Sequence, residues 1–352
     1  MIILAIETSC DETAISLVKI KNKKFSVLSN IISSQAKLHA QYGGVYPFLA
    51  KREHQKNLPI VLKKAINQAL KKEKFTKPDL ISLTVGPGLE PCLWTGINFS
   101  KDLAKKLKIP IVPVNHIKAH ILTNFINLDY KKTLPAICLV VSGGHSQLVL
   151  IKKLDQMKII GQTRDDAAGE CFDKAARIIG LDYPGGPAIA EQADLWRTKN
   201  QPTKYQINLP RPMINQKNYD FSFSGLKTAV LNNFKSQPIK TRKQKQYIQE
   251  MAGQVEQAII DVLIKKTIKA AKDFKVKTII LAGGVAANKQ LRQQLEKKIK
   301  KDLNNVKYLK PDINLCTDNA VMVAINGYYQ RKDKLLKEKQ WQKIKANANL
   351  KV

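Results

Sequence analysis

Acidic residues are scarce in this sequence. Its 352 residues hold 28 Asp and Glu against 60 Lys and Arg, a formal net charge of +32. Such an imbalance fits a polyanionic partner, nucleic acid foremost. Arginine is scarce too, at eight of those 60 cations. A Lys-heavy, Asn- and Ile-rich composition drawn from genomic base bias would give the same charge with no partner behind it, so charge alone leaves the two readings level. Cysteine is sparse and scattered, at positions 10, 92, 138, 171 and 316, with no CxxC pair. That argues against a disulfide framework and fits reduced thiols in a cytoplasm. No apolar run approaches the ~20 residues of a membrane span. The opening MIILAIETSCDET has no basic leader and soon meets Glu7, Asp11 and Glu12, so it reads as a first strand and not a signal peptide.

What remains describes a soluble globular protein, 44% hydrophobic and 25% charged, long enough for two domains with separate cores. Residues 1 to 32 alternate as two or three strands, with a Ser9 to Glu12 turn after the first. A loop-rich stretch (YGGVYP) and a helical signal follow, then the strand LISLTVG ending in Gly86-Pro87-Gly88, then a helix. At 135 the pattern restarts as strand, Gly-Gly turn and strand (PAICLVVSGGHSQLVLI), which repeats the opening organisation without repeating its sequence. A helix is expected at about 169 to 179 and a long one at about 247 to 274. Residues 200 to 245 look irregular and basic. The expected boundaries are an N-terminal lobe at 1–132, a C-terminal lobe at 133–325, and a basic tail at 326–352, helical or disordered, packing back on the N-terminal lobe.

Two of the five histidines, His116 and His120, lie four apart just after the strand IPIVPV. Asn115 can cap a helix there, which puts both imidazoles on one face, where they can grip one metal ion. Ile117 stands where a zinc peptidase of the HExxH type has its catalytic Glu, so that chemistry is disfavoured. Asp318, following Cys316-Thr317 at a helix start, reads either as a helix cap or as a third, hard ligand completing a His-His-Asp site with open positions. Small turns follow strands at Ser9 to Glu12, Gly86 to Gly88, Ser142 to Gly144 and Gly283-Gly284. Backbone N–H groups in such turns can approach phosphate, and several across two similar halves point to a nucleotide held between lobes. Asn288 could bond a ribose or base or be a solvated helix residue. Asp173 could bond ligand hydroxyls or sit exposed.

Together these stretches resemble the TsaD family, also called Gcp or YgjD, the universal tRNA threonylcarbamoyladenosine synthases. The matching segments run in order from IETSCDETAISLV, YGGVYP and GPGL through NHIKAH, VVSGGHSQL, DDAAGECFDKAARIIGLDYPGGP and FSFSGLKTA to LAGGVAANKQLR and CTDNAVMVA, and cover nearly the whole chain. The resemblance implies an α/β, two-lobed actin-like ATPase fold, each lobe a mixed sheet flanked by helices. It implies that His116, His120 and Asp318 bind one divalent metal, iron or zinc. It implies that Val140, Val141, Ser142, Gly143, Gly144, Asp173, Gly186 and Asn288 contact the adenylate substrate, and it matches Asp11 to the acidic residue of the family's first phosphate loop.

The implied activity is transfer of the threonylcarbamoyl group from threonylcarbamoyl-AMP to N6 of adenosine 37 in tRNAs reading ANN codons, with release of AMP. Asp11 is a candidate base for the amine proton. Lys227, Arg242 and the tail would dock tRNA phosphates. Implied partners are TsaB-like and TsaE-like proteins, with adenylate from a TsaC-type enzyme, in the cytoplasm and with no membrane. The chain departs from the family pattern at Phe48, at Glu90 to Thr95 (EPCLWT) and at Ala190, which puts in question partner contacts and the nucleotide cleft. The rival readings are a non-catalytic scaffold of the same fold, a sugar or acetate kinase, and a metalloprotease.

Overall fold

The computed structural model describes residues 1–198 and 203–352. Two compact units divide the chain, residues 1–130 with 317–352, and residues 131–316.

In the first unit, β1 (Ile2–Glu7), β2 (Glu12–Lys21) and β3 (Lys24–Ser34) form the antiparallel meander that the alternating opening predicts. The short α1 (Ala36–Ala40) and the long α2 (Pro47–Lys72) lead to β4 (Leu80–Gly86). Then α3 (Glu90–Leu107), β5 (Ile111–Asn115) and α4 (His116–Thr123) follow. β4 and β5 run parallel to β1, giving the order β3-β2-β1-β4-β5. Parallel neighbours require crossover connections, which α2 and α3 supply.

The second unit repeats this plan. Its elements are β6 (Ala136–Val141), β7 (Ser146–Lys153), β8 (Gln156–Gln162), α5 (Ala168–Ile178), α6 (Gly185–Thr198), α7 (Ser224–Ser236), α8 (Ile239–Arg242), α9 (Lys245–Asp273), β9 (Thr278–Ala282), α10 (Lys289–Asp302) and β10 (Lys307–Leu309). The order β10-β9-β6-β7-β8 is again a meander followed by two parallel strands. So each unit is a mixed five-stranded sheet flanked by helices, as the actin-like resemblance implies. Strands β1 and β6, central to their sheets, are buried along their whole length, which is why their sequences read as unbroken apolar runs.

Three expectations need correction. The irregular stretch at 200–245 contains α7 and α8; its first residues, 200 to 202, lie outside the described ones. Helix α7 opens on Ser-Gly, poor helix formers, and takes its N-terminal partner from far away: Asp165 accepts from the Phe223 and Ser224 backbone N–H groups and from the Ser222 and Ser224 hydroxyls. The second unit ends at Cys316, so the expected lobe boundary at 325 falls inside α11 (Ala320–Lys334), which belongs to the first unit. There Gly327 lies against Ser82, whose hydroxyl donates to the Val323 carbonyl at 2.8 Å. Finally, the tail continues α11 as far as Lys334 and beyond it is neither a regular helix nor loose. A 3-10 turn at Glu338–Lys343 buries Trp341 and Ile344 among Leu58, Leu83 and Ile97 of the first core.

One buried cation braces the second unit. Lys266 of α9 is 1% exposed and donates from Nζ to the Asn218 carbonyl at 2.7 Å and the Gln216 carbonyl at 3.1 Å. Lys266→Met keeps the volume but leaves those carbonyls without their donor. It is expected to lower the stability of this unit by ~1–3 kcal/mol, read by urea unfolding; an unchanged midpoint would show that the brace contributes nothing.

Candidate metal centre and nucleotide-binding turns

The metal candidates converge in the first unit. Asn115 caps α4 as its sequence position predicts, its Oδ1 accepting the Lys118 N–H at 2.9 Å. His116 and His120 then lie on one face, edge to face, with ring centroids 4.7 Å apart. Asp318 arrives from the other side. Capping of α11 falls to Asn319, whose side chain accepts the Met322 N–H at 3.1 Å, so the cap reading of Asp318 is off by one residue. The carboxylate of Asp318 faces the imidazoles instead, 3.0 Å from His120 Nε2 and 3.5 Å from His116 Nε2. Helix α11 is held in place for this by Ser82 and by Asn326, which donates to the Asn115 carbonyl at 2.9 Å.

These three side chains fit a divalent ion. One ligand atom from each lies within 4.8 Å of the others. Ligands bound at ~2.1 Å in a tetrahedral or octahedral shell sit ~3.0–3.4 Å apart, close to the two separations to Asp318. The supporting shell is present too. Glu7, fully buried at the end of β1, places Oε2 3.2 Å from His116 Nδ1, while its own oxygens accept the Ser9 N–H at 2.7 Å and the Thr84 hydroxyl at 2.6 Å. A carboxylate on the far ring nitrogen fixes the imidazole's orientation and aims Nε2 at the ion. Sequence reasoning passed over Glu7, which sits 109 positions from its partner at a strand end with no local motif.

The electrostatics agree. Burial alone would depress the His116 pKa, but Asp318 and Glu7 outweigh it and raise it to about 9. Burial likewise works to raise Glu7, and the neighbouring His116 reverses it, leaving the carboxyl below its usual range. Two carboxylates that favour a proton here favour a divalent cation more.

Asp11 lies in the buried turn after β1, in the same unit. Its turn is braced by His54 of α2, which lies 2.9 Å from the Cys10 carbonyl through Nε2 and 2.7 Å from the Thr13 hydroxyl through Nδ1. The next residue, Glu12, was not singled out from the sequence. Burial, then the charges of Asp11 and Asp318, push its carboxyl well above the usual range.

Not every glycine turn is open to a ligand. Gly86–Gly88 is covered by the chain's own tail: Asn347 N–H donates to the Val85 carbonyl at 2.8 Å, Gly88 N–H to the Ala348 carbonyl at 3.3 Å, and the Asn347 carbonyl occupies the space a Gly86 side chain would need. Asn115 then holds the Leu350 and Lys351 carbonyls at 3.2 and 3.0 Å.

The remaining turns gather in the second unit, at the C-terminal ends of β6 and β9. Val140 and Val141 bury their side chains in the sheet, so only their backbone can meet a ligand. Gly143 and Gly144 are exposed, with open space beside them. The N-terminus of α5 abuts the Ser142 turn, with Gly169 N–H donating to the Ser142 carbonyl at 3.1 Å and Ala168 N–H to Ser146 Oγ at 2.8 Å. Gly283, at φ +91°, approaches the Val141 carbonyl so closely that a Cβ would stand 2.4 Å from it. Asp173 accepts the Gly185 N–H at 2.8 Å, which docks the Gly186 end of α6 on α5. Asn288 is half-buried. It caps α10 through Leu291 N–H at 2.8 Å and donates to the buried Glu256 at 2.6 Å, an acid that also pairs with Arg197. The departures Phe48 and Glu90 to Thr95 lie elsewhere, with Phe48, Glu90, Pro91, Trp94 and Thr95 lining one groove of about 650 Å³ between α2 and α3. Ala190 is half-buried on α6.

Known proteins of two kinds resemble this chain. Among solved structures, a full-length HypF in its phosphate- and nucleotide-bound form superposes with a TM-score of 0.56 at 12% identity, over 94% of this chain and 46% of that one. HypF of T. kodakarensis gives 0.55 at 14%, over 94% and 48%. At these identities the likeness is one of fold, and the chain spans about half of each HypF chain. Sequence relatives are much nearer. The tRNA N6-adenosine threonylcarbamoyltransferase of Thermosipho africanus is 45% identical over 352 residues, all of both chains. The proteins of that name from Geobacillus kaustophilus and Clostridioides difficile are 43% and 44% identical, covering 92% and 94% of this chain and 90% and 93% of theirs. The family described as TsaD, tRNA N6-adenosine threonylcarbamoyltransferase, matches residues 26–325, a span that takes in the histidine pair, Asp318 and the glycine turns at 86–88, 142–144 and 283–284 but not the Ser9 to Glu12 turn, and the chain belongs to it.

Proposed function

We propose that this chain transfers a threonylcarbamoyl group from threonylcarbamoyl-AMP to N6 of adenosine 37 in tRNAs reading ANN codons, releasing AMP. Family membership over nearly the full length supports the reaction. The observation that carries the reading to named residues is the His116–His120–Asp318 cluster with Glu7 behind it. Those three residues would hold one divalent ion, iron or zinc. When bound, the ion supplies a Lewis acid and a template for the oxygen atoms of the acyl donor.

The chain's own groups do the rest. Backbone N–H groups of Gly143 and Gly144, with the positive N-terminal end of α5 behind them, hold the AMP phosphate as an anion. Asp173 and the Gly186 end of α6 frame the ribose side, and the Glu256–Asn288 bond fixes the segment after Gly283. Asp11 is the candidate to accept the proton of the attacking amine, and its neighbour Glu12, held towards the neutral acid, can keep a proton beside it. A metalloprotease reading finds no glutamate base on α4, because Ile117 stands in its place. No described helix is long and apolar enough to cross a membrane. The proposed setting is the cytoplasm, with TsaB-like and TsaE-like partners and a TsaC-type enzyme supplying adenylate.

The test is transfer to unmodified tRNA with those purified proteins, following threonylcarbamoyladenosine by mass spectrometry. Product formed only with this chain present is the expected result. No product with every partner verified would move the reading to a scaffold.

A further inference from the structure

The second unit carries a surface feature that the transfer chemistry does not use. A groove of about 1000 Å³ lies between α9, α10 and the loop holding Arg211 and Ile214. Ile264 and Ile268 form a buried apolar floor. The loop wall is fixed, since Lys266 grips the carbonyls of Gln216 and Asn218 and Lys265 donates to Asn215 at 2.7 Å.

Lysines from both helices border the groove, and its three carboxylates are already engaged. Asp261 pairs with Arg211 at 3.0 Å, Asp273 with Lys269 at 2.7 Å, and Asp302 lies 3.1 Å from Lys298 and 4.0 Å from Lys272. Lys265, Lys297 and Lys301, which also line it, have no carboxylate partner among the described residues. Arg242, a phosphate contact expected from the sequence, is by contrast largely occupied, donating to the Gln237 and Lys235 carbonyls at the end of α7.

The groove also has a definite place. The C-terminal halves of α9 and α10 lead into the starts of β9 and β10, whereas Gly283 follows the end of β9. A five-residue strand spans ~17 Å, so the far end of the groove, where Lys301 and Asp302 lie, is about a strand's length from the glycine turns, while Asp261 and Gln294 at its near end are one to two helical turns from Glu256 and Asn288. One nucleotide cannot bridge that gap, but a folded RNA can.

We propose that the α9–α10 groove seats the phosphate backbone of the tRNA at a point remote from the adenosine being modified. The proposal rests on the transferase reading, which makes tRNA the polyanion at hand. Lysines on two fixed helices act as point charges that follow a phosphate path without reading sequence. The surface therefore contributes affinity common to all substrate tRNAs and nothing to the acyl transfer.

The experiment compares the intact protein with the double variant Lys297→Glu, Lys301→Glu, which leaves the Lys265 brace in place, and with the milder double glutamine variant should the first fail to fold. Binding of unmodified tRNA is read by fluorescence anisotropy from 50 to 200 mM salt, and transfer kinetics are measured alongside. The expected result is affinity weaker by roughly 10-fold or more, with the slope of log affinity against log salt shallower by ~2. The KM for threonylcarbamoyl-AMP, and kcat at saturating tRNA, should stay as they were. Native affinity and slope in the variant would overturn the proposal, as would intact tRNA binding with loss of an acidic protein partner. A native protein that binds tRNA but transfers nothing would count against the transferase reading alone, because the groove is judged by the difference in tRNA affinity.

Discussion

With His116 and His120 both changed to alanine, the protein is expected to purify without its divalent ion and to lose transfer activity by at least ~100-fold. Nothing else within reach replaces two imidazoles: Asp318 alone offers one carboxylate, and Glu7 points at His116 Nδ1, on the far side of the ring from the ion. Elemental analysis of the purified protein, circular dichroism and the transfer assay together check this. Both histidines are buried, so Asp318→Asn serves as a second variant that keeps volume and hydrogen-bonding shape. A graded version of the same loss follows from Glu7→Gln. The amide keeps the size of the side chain and removes the charge that orients His116, and metal affinity should fall ~10–100-fold. Full metal content and full activity in the double alanine variant would remove the ion from the mechanism while leaving the family's reaction intact.

The second large effect comes from a single methyl group. At Gly169, in the first turn of α5, a Cβ would lie 2.6 Å from the Ser142 carbonyl and 2.8 Å from the Gly143 backbone. Alanine is intrinsically the better helix former by ~1 kcal/mol, so helix propensity argues for the substitution and packing against it. Packing should prevail, because the contact is with backbone, which cannot rotate away. The Ser142–Gly144 turn must shift, and a shift of ~1 Å at a group that positions substrate costs on the order of 100-fold. Gly169→Ala is therefore expected to raise the KM for threonylcarbamoyl-AMP or lower kcat by about that factor, with a stability loss of ~1–3 kcal/mol from overpacking. Gly225→Ala is the control, since a Cβ there meets only Pro212 at an ordinary 3.8 Å. Equal kinetics for the two variants would show that the turn does not hold the adenylate.

How far the sequence led depended on how local each feature is. The His116–His120 spacing and the Asn115 cap are properties of one helical turn, and both were readable directly. The repeated meander-and-crossover plan was readable because a buried central strand, a glycine turn and a second strand leave the same pattern twice. Asp318 was readable as a candidate but not as settled, because a cap and a ligand differ by one residue at a helix start, and only packing assigns the cap to Asn319. Glu7 and Asp165 were not readable in their roles, since each acts on residues more than 50 positions away through side-chain geometry. The Gly86–Gly88 turn misled for the same reason. Its glycines answer to the tail, which fills the place a phosphate could have taken. The boundary at 325 failed because nothing in the composition of α11 distinguishes the sheet it leaves from the sheet it joins.

The split of the first unit sets an order of events during synthesis. Its strands β1 to β5 and both histidines leave the ribosome early, but Asp318, α11 and the segment that covers Gly86 and Asn115 are encoded after the whole of the second unit. At ~5–20 residues per second, the intervening stretch keeps the half-built first unit waiting for ~10–40 seconds with β4 and β5 uncovered. The second unit is continuous in sequence and can close meanwhile. The His116–His120–Asp318 cluster is thus completed only after the second unit has emerged, and a nascent chain stalled before Thr317 would present two imidazoles without Asp318. An ion that needs all three side chains would therefore be loaded on the finished polypeptide, not on the growing one.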